Sequence, residues 1–402
     1  MNILFLTLVK IKTLEERGIY TDLLRKFKQE GHRVFVVSPS ERRDKKKTHL
    51  VNKDGVCILN VFTFNLQKTN VLEKGIGTLA IEYQYLNAIK KHFSTTKFDL
   101  ILYSTPPITF SKVIDFVKKR DNAYSYLLLK DIFPQNAVDM KMFKNGGVLH
   151  KFFLKKELEL YDLSDTIGCM SEANKKYILT HNPSVNKKKV EVNPNSIEPI
   201  HTNQTVEENR EIKKKYGLPL DKTIFVYGGN LGKPQGLDFL LETIESNRNQ
   251  DVFFLVVGSG TEYNRIEKWF VEKQLKNALL MSGLPKLDYD LLLNSCDVGM
   301  IFLDKNFTIP NFPSRLLSYL EMGMPVIAAT DSNTDLGDVL EKHKCGFRVL
   351  AGDILNMNKV IDEICCNEDR YIQMSEDALR LLNKEYKVDY SYSLIKNKIN
   401  NV

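Results

Sequence analysis

One rhythm repeats along most of this chain: a short, unbroken apolar run, a turn, then a segment of helical period. In the first half the apolar runs are NILFLTLV (2–9), VFVVSP (34–39), VCILNVF (56–62), DLILYSTPP (99–107) and AYSYLLL (123–129). Between the first two, residues 18–29 space Leu23, Leu24 and Phe27 as one helix face, and Gly31 ends that helix. Residues 146–182 read as a helix, a short strand TIGCMS (166–171) and another helix. The second half repeats the plan with TIFVYGG (223–229), VFFLVVGSG (252–260), NALLMSG (277–283), DVGMIFL (297–303) and PVIAAT (325–330). Uninterrupted apolar strands alternating with helices predict parallel sheets covered on both faces. The aperiodic stretch NPNSIEPIHTNQTVEEN, starting at Asn193, separates the halves. The expected fold is therefore α/β, with a Rossmann-like domain over 1–200 and a second over 201–384. A last helix, about 385–402, can pack back on the first. If the two domains face each other, a ligand belongs in the cleft, at the carboxyl ends of the strands.

The 402 residues suit two domains of this size. With 43% hydrophobic and 27% charged residues, fibrous and wholly disordered chains are excluded. No apolar stretch approaches the roughly 18 residues of a membrane-spanning helix. MNILFLTLVKIK has no basic leader, and it reads as a buried first strand rather than a signal peptide. Six scattered cysteines, none in a C-x-x-C pair, suggest reduced thiols rather than a zinc or disulfide framework.

Charge is uneven. Residues 1–200 hold 33 Lys and Arg against 21 Asp and Glu, a net +12, whereas residues 201–402 are net −5. Lysine clusters at 45–47, 141–156 and 187–189 point the first half toward a polyanion or an anionic membrane surface. Ordinary solvated surface explains any single cluster equally well. No recognition motif accompanies the charge, which argues against nucleic acid. Residues 148–160 mix Leu149, Phe152, Phe153 and Leu158 with Lys151, Lys155 and Lys156, as an interfacial helix would. Packing of Phe152 and Phe153 into the first domain is the plainer alternative.

Several strand ends in the second half turn through glycine: Gly228-Gly229-Asn230-Leu231-Gly232, Gly258-Ser259-Gly260 and Gly283. Such turns let a backbone approach phosphate, although tight α/β turns need glycine anyway. No G-K-[ST] follows, so this is not a Walker loop. Downstream, Pro313-Ser314-Arg315 opens a helix with serine as its expected cap. Arg315 can meet a diphosphate, and Glu321, two turns on, can take two ribose hydroxyls. The plain alternative is a capped helix with Glu321 on the surface. Asp288-Tyr289-Asp290 matches D-x-D but starts a helix instead of ending a strand, which favours helix capping over metal binding.

At these residues the chain resembles the retaining GT-B glycosyltransferases of family 4, and most of all the bacterial branch that builds capsule, O-antigen and exopolysaccharide. Gly31-His32-Arg33-Val34 is similar to that family's G-H-x-V, and Asn195-Ser196-Ile197 to its pre-linker segment. Tyr227 through Gly236 resembles the donor-diphosphate loop. Pro313-Ser314-Arg315 through Glu321-Met322-Gly323-Met324-Pro325-Val326-Ile327 is the most specific likeness. Lys130-Asp131-Ile132-Phe133-Pro134-Gln135 resembles the branch's [RK]-D-x-[WF]-P-[EQ] motif. There are departures. Pro313 stands where the broad family has a first glutamate, and Asn230 and Gln235 stand where it has cations.

The resemblance implies a metal-independent, retaining transferase with no cofactor, using a nucleotide sugar, UDP-linked, as donor. The donor set would be Gly18, Gly229, Asn230, Lys233, Gly258, Leu284, Ser314, Arg315 and Glu321. Asp131 and Lys130 would act on the acceptor, with a Lys130–Asp131 loop contact as the plain alternative. The implied acceptor is a saccharide on a polyprenyl diphosphate, met from the cytoplasm by a protein peripheral on the inner membrane face. Two rivals share the architecture: a UDP-sugar 2-epimerase and a non-catalytic subunit of a polysaccharide assembly complex.

Overall fold

The computed structural model describes residues 1–66, 71–200 and 204–400. It divides into two compact units, one of residues 1–198 with 388–402 and one of residues 199–387.

The first unit is built on an eight-stranded sheet: β1 (Asn2–Leu6), β2 (Arg33–Glu41), β3 (His49–Lys53), β4 (Val56–Thr63), β5 (Leu100–Ser104), β6 (Tyr124–Leu129), β7 (Thr166–Cys169) and β8 (Val190–Val192). The spatial order is β3-β4-β2-β1-β5-β6-β7-β8. All neighbours run parallel except β3, which pairs antiparallel with β4. The strand order reverses between β1 and β5, so the loops after these strands border the crevice where ligands collect in such sheets.

The helix Ile19–Gln29 buries Leu23, Leu24 and Phe27 against this sheet. It ends as the sequence predicts: Gly31 sits at φ +79°, and the His32 amide donates to the Phe27 carbonyl (3.1 Å). The chain's final segment is interrupted before its last helix. Helix Glu368–Leu381 widens into a π-type turn over Leu382–Tyr386, and a new helix, Val388–Asn400, then belongs to the first unit. Val388 and Ile395 lie in the same core as Phe27. Tyr392 meets the Phe27 ring edge-on at 4.9 Å, and its hydroxyl lies 3.2 Å from His32 Nε2. His32 of the G-H-R segment therefore holds the C-terminal helix.

The second unit has β9 (Thr223–Asn230), β10 (Val252–Ser259), β11 (Ala278–Ser282), β12 (Val298–Phe302), β13 (Val326–Thr330) and β14 (Gly346–Leu350) in the order β11-β10-β9-β12-β13-β14, all parallel. Here the order reverses between β9 and β12. Phe225, Tyr227, Phe254, Val256, Met300 and Ile327 fill its core. Among the described residues no helix is long and apolar enough to cross a membrane.

Candidate functional site

The switch point of the second unit is where β9 runs out into Gly228, Gly229 and Asn230. Gly229 adopts φ +124°, a conformation that side-chain-bearing residues avoid. Three tyrosines brace this turn. Tyr227 Oη donates to the Asn230 carbonyl (2.8 Å). Tyr319 Oη accepts from the Gly228 amide (3.1 Å) and faces the Met300 carbonyl (3.2 Å). Tyr289 packs directly on Gly228.

Arg315 begins the helix Arg315–Glu321. Its guanidinium lies over the Tyr227 ring, 4.6 Å from the centroid, and Nη2 donates to Gln235 Oε1. A β-carbon on Gly229 would sit 3.7 Å from Arg315 Cζ, so the cation lies directly under the glycine turn. Arg315 Nη1 is buried and has no hydrogen-bond partner among the described residues. A buried guanidinium N–H without an acceptor is costly, and an anion at this turn would supply one.

Lys233 opens the short turn Lys233–Gln235 and is exposed, as is Asn230. Ser314 is exposed as well, and its side chain makes no capping bond, contrary to expectation: the residue already has helical φ and ψ. Glu321 is buried rather than on the surface, and Oε1 accepts from the Ile200 amide (2.8 Å). Gly258 pairs with Gly229 across the sheet, and a β-carbon there would lie 2.0 Å from the Gly229 carbonyl oxygen, so packing alone requires glycine. Leu284 is half-buried in the segment that leads from β11 to the helix Lys286–Asn294. Neither aspartate of D-x-D caps that helix: Pro285 precedes it, and Asp290 is buried and paired with Lys286. Among the described residues no group of three or more His, Cys, Asp or Glu could hold a metal ion.

The first unit gathers a second set at the ends of β5 and β6. Thr105 Oγ1 accepts the amides of Lys130 (3.0 Å) and Asp131 (3.1 Å) and donates to the Asp131 carbonyl (2.9 Å). Lys130 and Asp131 form no ion pair with each other. Asp131 Oδ2 instead accepts from Asn136 Nδ2 (2.6 Å). Burial lowers the Lys130 ammonium to about 7 and raises the Asp131 carboxyl to about 6. Glu157, on the helix Val148–Leu163, is buried with Tyr161 Oη donating to it (2.7 Å). Burial, opposed by that bond and reinforced by Asp131, raises Glu157 to about 7.

Gly18 does not offer its amide to a ligand. It donates to Asp22 Oδ1 (3.1 Å), and Asp22 in turn accepts from Arg25 and from the Glu198 amide. On the helix Val148–Leu163 the two phenylalanines part company. Phe153 is half-buried among Phe133, Phe143 and Phe152, with centroids 5.1–5.6 Å away. Phe152, Val148, Leu149 and Leu154 are exposed, as are Lys151 and Lys155, while Lys156 pairs with Glu159 (2.7 Å).

With this geometry in hand, residues 208–380 match the family model of the glycosyl transferases group 1. The match spans nearly all of the second unit. WbjE of Pseudomonas aeruginosa, named as a glycosyltransferase, is 22% identical over 74% of this chain and 73% of its own length. WcaI of Escherichia coli K12, named for colanic acid biosynthesis, is 29% identical over 32% of each chain. Two solved structures share the GT-B fold. Sucrose-phosphate synthase from Thermosynechococcus elongatus has a TM-score of 0.76 at 14% identity, covering 100% of this chain and 98% of its own. Anabaena HepE in complex with UDP has a TM-score of 0.70 at 13% identity, covering 100% of both.

Within the matched segment, the expected residues Gly229, Asn230, Lys233 and Arg315 come together around one turn. Glu321 follows on the Arg315 helix, while Gly258 and Leu284 line successive strand ends. Sequence reasoning missed Tyr227, Tyr289 and Tyr319, which form the walls. Tyr289 has a signal in the sequence, as the central residue of D-x-D.

Proposed function

We propose that this protein is a retaining, metal-independent glycosyltransferase that moves a sugar from a UDP-linked donor to a saccharide on a polyprenyl diphosphate. The observation that carries the reading is Arg315: a buried cation under the Gly228-Gly229 turn, with one N–H lacking a partner, at the switch point of a group 1 domain. In this reading Arg315 and exposed Lys233 neutralise the donor diphosphate as the glycosidic bond breaks, stabilising the leaving group. Glu321 accepts from the ribose hydroxyls. The acceptor hydroxyl attacks on the face the nucleotide leaves.

The first unit takes the acceptor. Asp131, with a carboxyl near 6, is matched to receive a hydroxyl proton, and Lys130 meets an anionic group of the acceptor. The exposed apolar and lysine-bearing start of the helix Val148–Leu163 suits peripheral attachment to an anionic inner-membrane surface. HepE, solved with UDP, and WcaI, named for a surface polysaccharide, support the donor and the pathway class.

Thermal shift with a panel of nucleotides and sugar nucleotides tests the donor assignment. UDP and at least one UDP-sugar should raise Tm, with uridine raising it far less. A panel in which no UDP compound shifts Tm overturns the reading.

A further inference from the structure

Two more buried polar atoms of the second unit lack partners, and their chemistry is complementary. Asp331 follows β13 directly and is only 4% exposed. Its Oδ1 accepts the amides of Asn333 (2.7 Å) and Thr334 (3.3 Å). Its Oδ2 has no partner among the described residues. Asn311 lies in the connection from β12 to the Arg315 helix, and its buried Nδ2 likewise has none. Thr334 ties the two loops together: its Oγ1 donates to the Asn311 carbonyl (2.5 Å) while its amide meets Asp331.

The strand order brings the three segments to the same edge of the sheet. β13 neighbours β12, and β12 neighbours β9, so Asp331, Asn311 and Gly229 all follow adjacent strand ends. A polar atom buried without a partner costs about 1–3 kcal/mol, so several at one edge of the sheet need an explanation. Burial also raises the Asp331 carboxyl above its ordinary range, as an unmatched carboxylate would be. Oδ2 needs a donor, Nδ2 needs an acceptor, and Arg315 Nη1 needs an anion. A diphosphate joined to a polyol supplies all three. Pro313, between Asn311 and Arg315, offers no polar side chain to compete.

We infer that Asp331 and Asn311 form the subsite that reads hydroxyls of the sugar carried by the donor. Asp331 Oδ2 accepts from one hydroxyl, and Asn311 Nδ2 donates to a second or to the ring oxygen. The inference rests on the reading of the second unit as a UDP-sugar site, and it makes these two residues the determinants of which sugar is accepted.

Calorimetry on the full chain tests it, with UDP, UDP-glucose, UDP-galactose and UDP-N-acetylglucosamine as probes. Asp331→Asn keeps Oδ1 for Asn333 and Thr334 and turns Oδ2 into a donor; Asn311→Ala removes Nδ2. In the wild type at least one sugar nucleotide should bind more tightly than UDP. Each variant should bind UDP within twofold of wild type and that sugar nucleotide at least fivefold more weakly. Equal losses for UDP and the sugar nucleotide would overturn the inference in favour of a contact to the nucleoside or a structural role. Unchanged sugar-nucleotide affinity in both variants would overturn it as well. A wild type that gains nothing from any sugar over UDP has no such subsite, though its nucleotide site stands. A wild type that binds no UDP fails the underlying reading itself.

Discussion

A β-carbon placed on Gly228 would lie 1.8 Å from the Tyr289 hydroxyl oxygen. The tyrosine at the centre of the D-x-D sequence thus closes the floor of the Gly228-Gly229 turn. Gly228→Ala must push Tyr289 aside, an overpacking cost of about 1–3 kcal/mol. We expect a lower Tm from Gly228→Ala alone and a smaller loss when it is combined with Tyr289→Ala. Additive losses in the double-mutant cycle would show that the two residues do not interact.

Glu321 has one observed duty and one proposed duty, and one substitution can separate them. Its Oε1 accepts from the Ile200 amide, so Glu321→Ala should destabilise by about 1–3 kcal/mol besides weakening UDP. Glu321→Gln keeps an acceptor for Ile200 and should melt near the wild-type temperature while binding UDP about tenfold more weakly. Wild-type UDP affinity in Glu321→Gln, measured by calorimetry, would leave the residue purely structural.

Lys233 and Arg315 should differ when removed. Lys233 is exposed with no partner among the described residues, so Lys233→Ala should leave Tm unchanged and weaken UDP more than uridine. Arg315→Ala should do the same to binding but also lower Tm, because it strips the cover from Tyr227. Arg315→Lys should not restore the wild type, since an ammonium cannot serve Gln235 and an anion in the same planar fork. Turnover that EDTA abolishes and Mg²⁺ or Mn²⁺ restores would contradict the proposed metal independence.

The buried groups of the first unit predict a pH signature. Asp131 and Glu157 titrate higher when folded (about 6 and 7) than unfolded, so the folded state holds more protons and stability falls as pH rises from about 4 to 7. Lys130 titrates lower when folded, near 7, so its penalty is relieved as pH rises from about 7 to 10.5. Glu157→Gln keeps an acceptor for Tyr161 and should therefore raise Tm relative to wild type at pH 8 but not at pH 4. The same Tm difference at both pH values would show that Glu157 does not titrate in this range.

Membrane attachment predicts liposome binding that requires anionic lipid and falls as salt rises. Replacing Lys151 and Lys155 with Ser should weaken it, as should Leu149→Ser or Phe152→Ser, with a smaller effect at Lys156, which is held by Glu159. Protein left in the supernatant with anionic vesicles at low salt would assign the charge asymmetry another cause.

Most strands were legible because they are continuous apolar runs, as in ILFL of β1 and IFVY of β9, although the parallel strands β8 (VEV) and β14 (GFRVL), each interrupted by a charge, carry no such run. The antiparallel edge strand β3 was not, because HLVNK is exposed along most of its length and lacks that signature. At the site, the charged residues and glycines announced themselves. The tyrosines did not: Tyr227, Tyr289 and Tyr319 fall inside the quoted motifs, but only tertiary packing shows that they meet Gly228 and Arg315. Nothing local says that Asp22, four residues on, claims the Gly18 amide. Asp331 and Asn311 were invisible in sequence because the lack of a partner exists only in three dimensions.

The helix Val388–Asn400 completes the first unit only after the whole second unit has been written between them in the chain. On the ribosome, the second unit can close on contiguous sequence while the first still waits for Val388, Tyr392 and Ile395 to cover Phe27 and His32. The half translated first is thus the half finished last. A stop codon or proteolytic cut near residue 387 would spare the second unit and leave the first with an open apolar seam, a natural handle for chaperones during synthesis and for degradation afterwards.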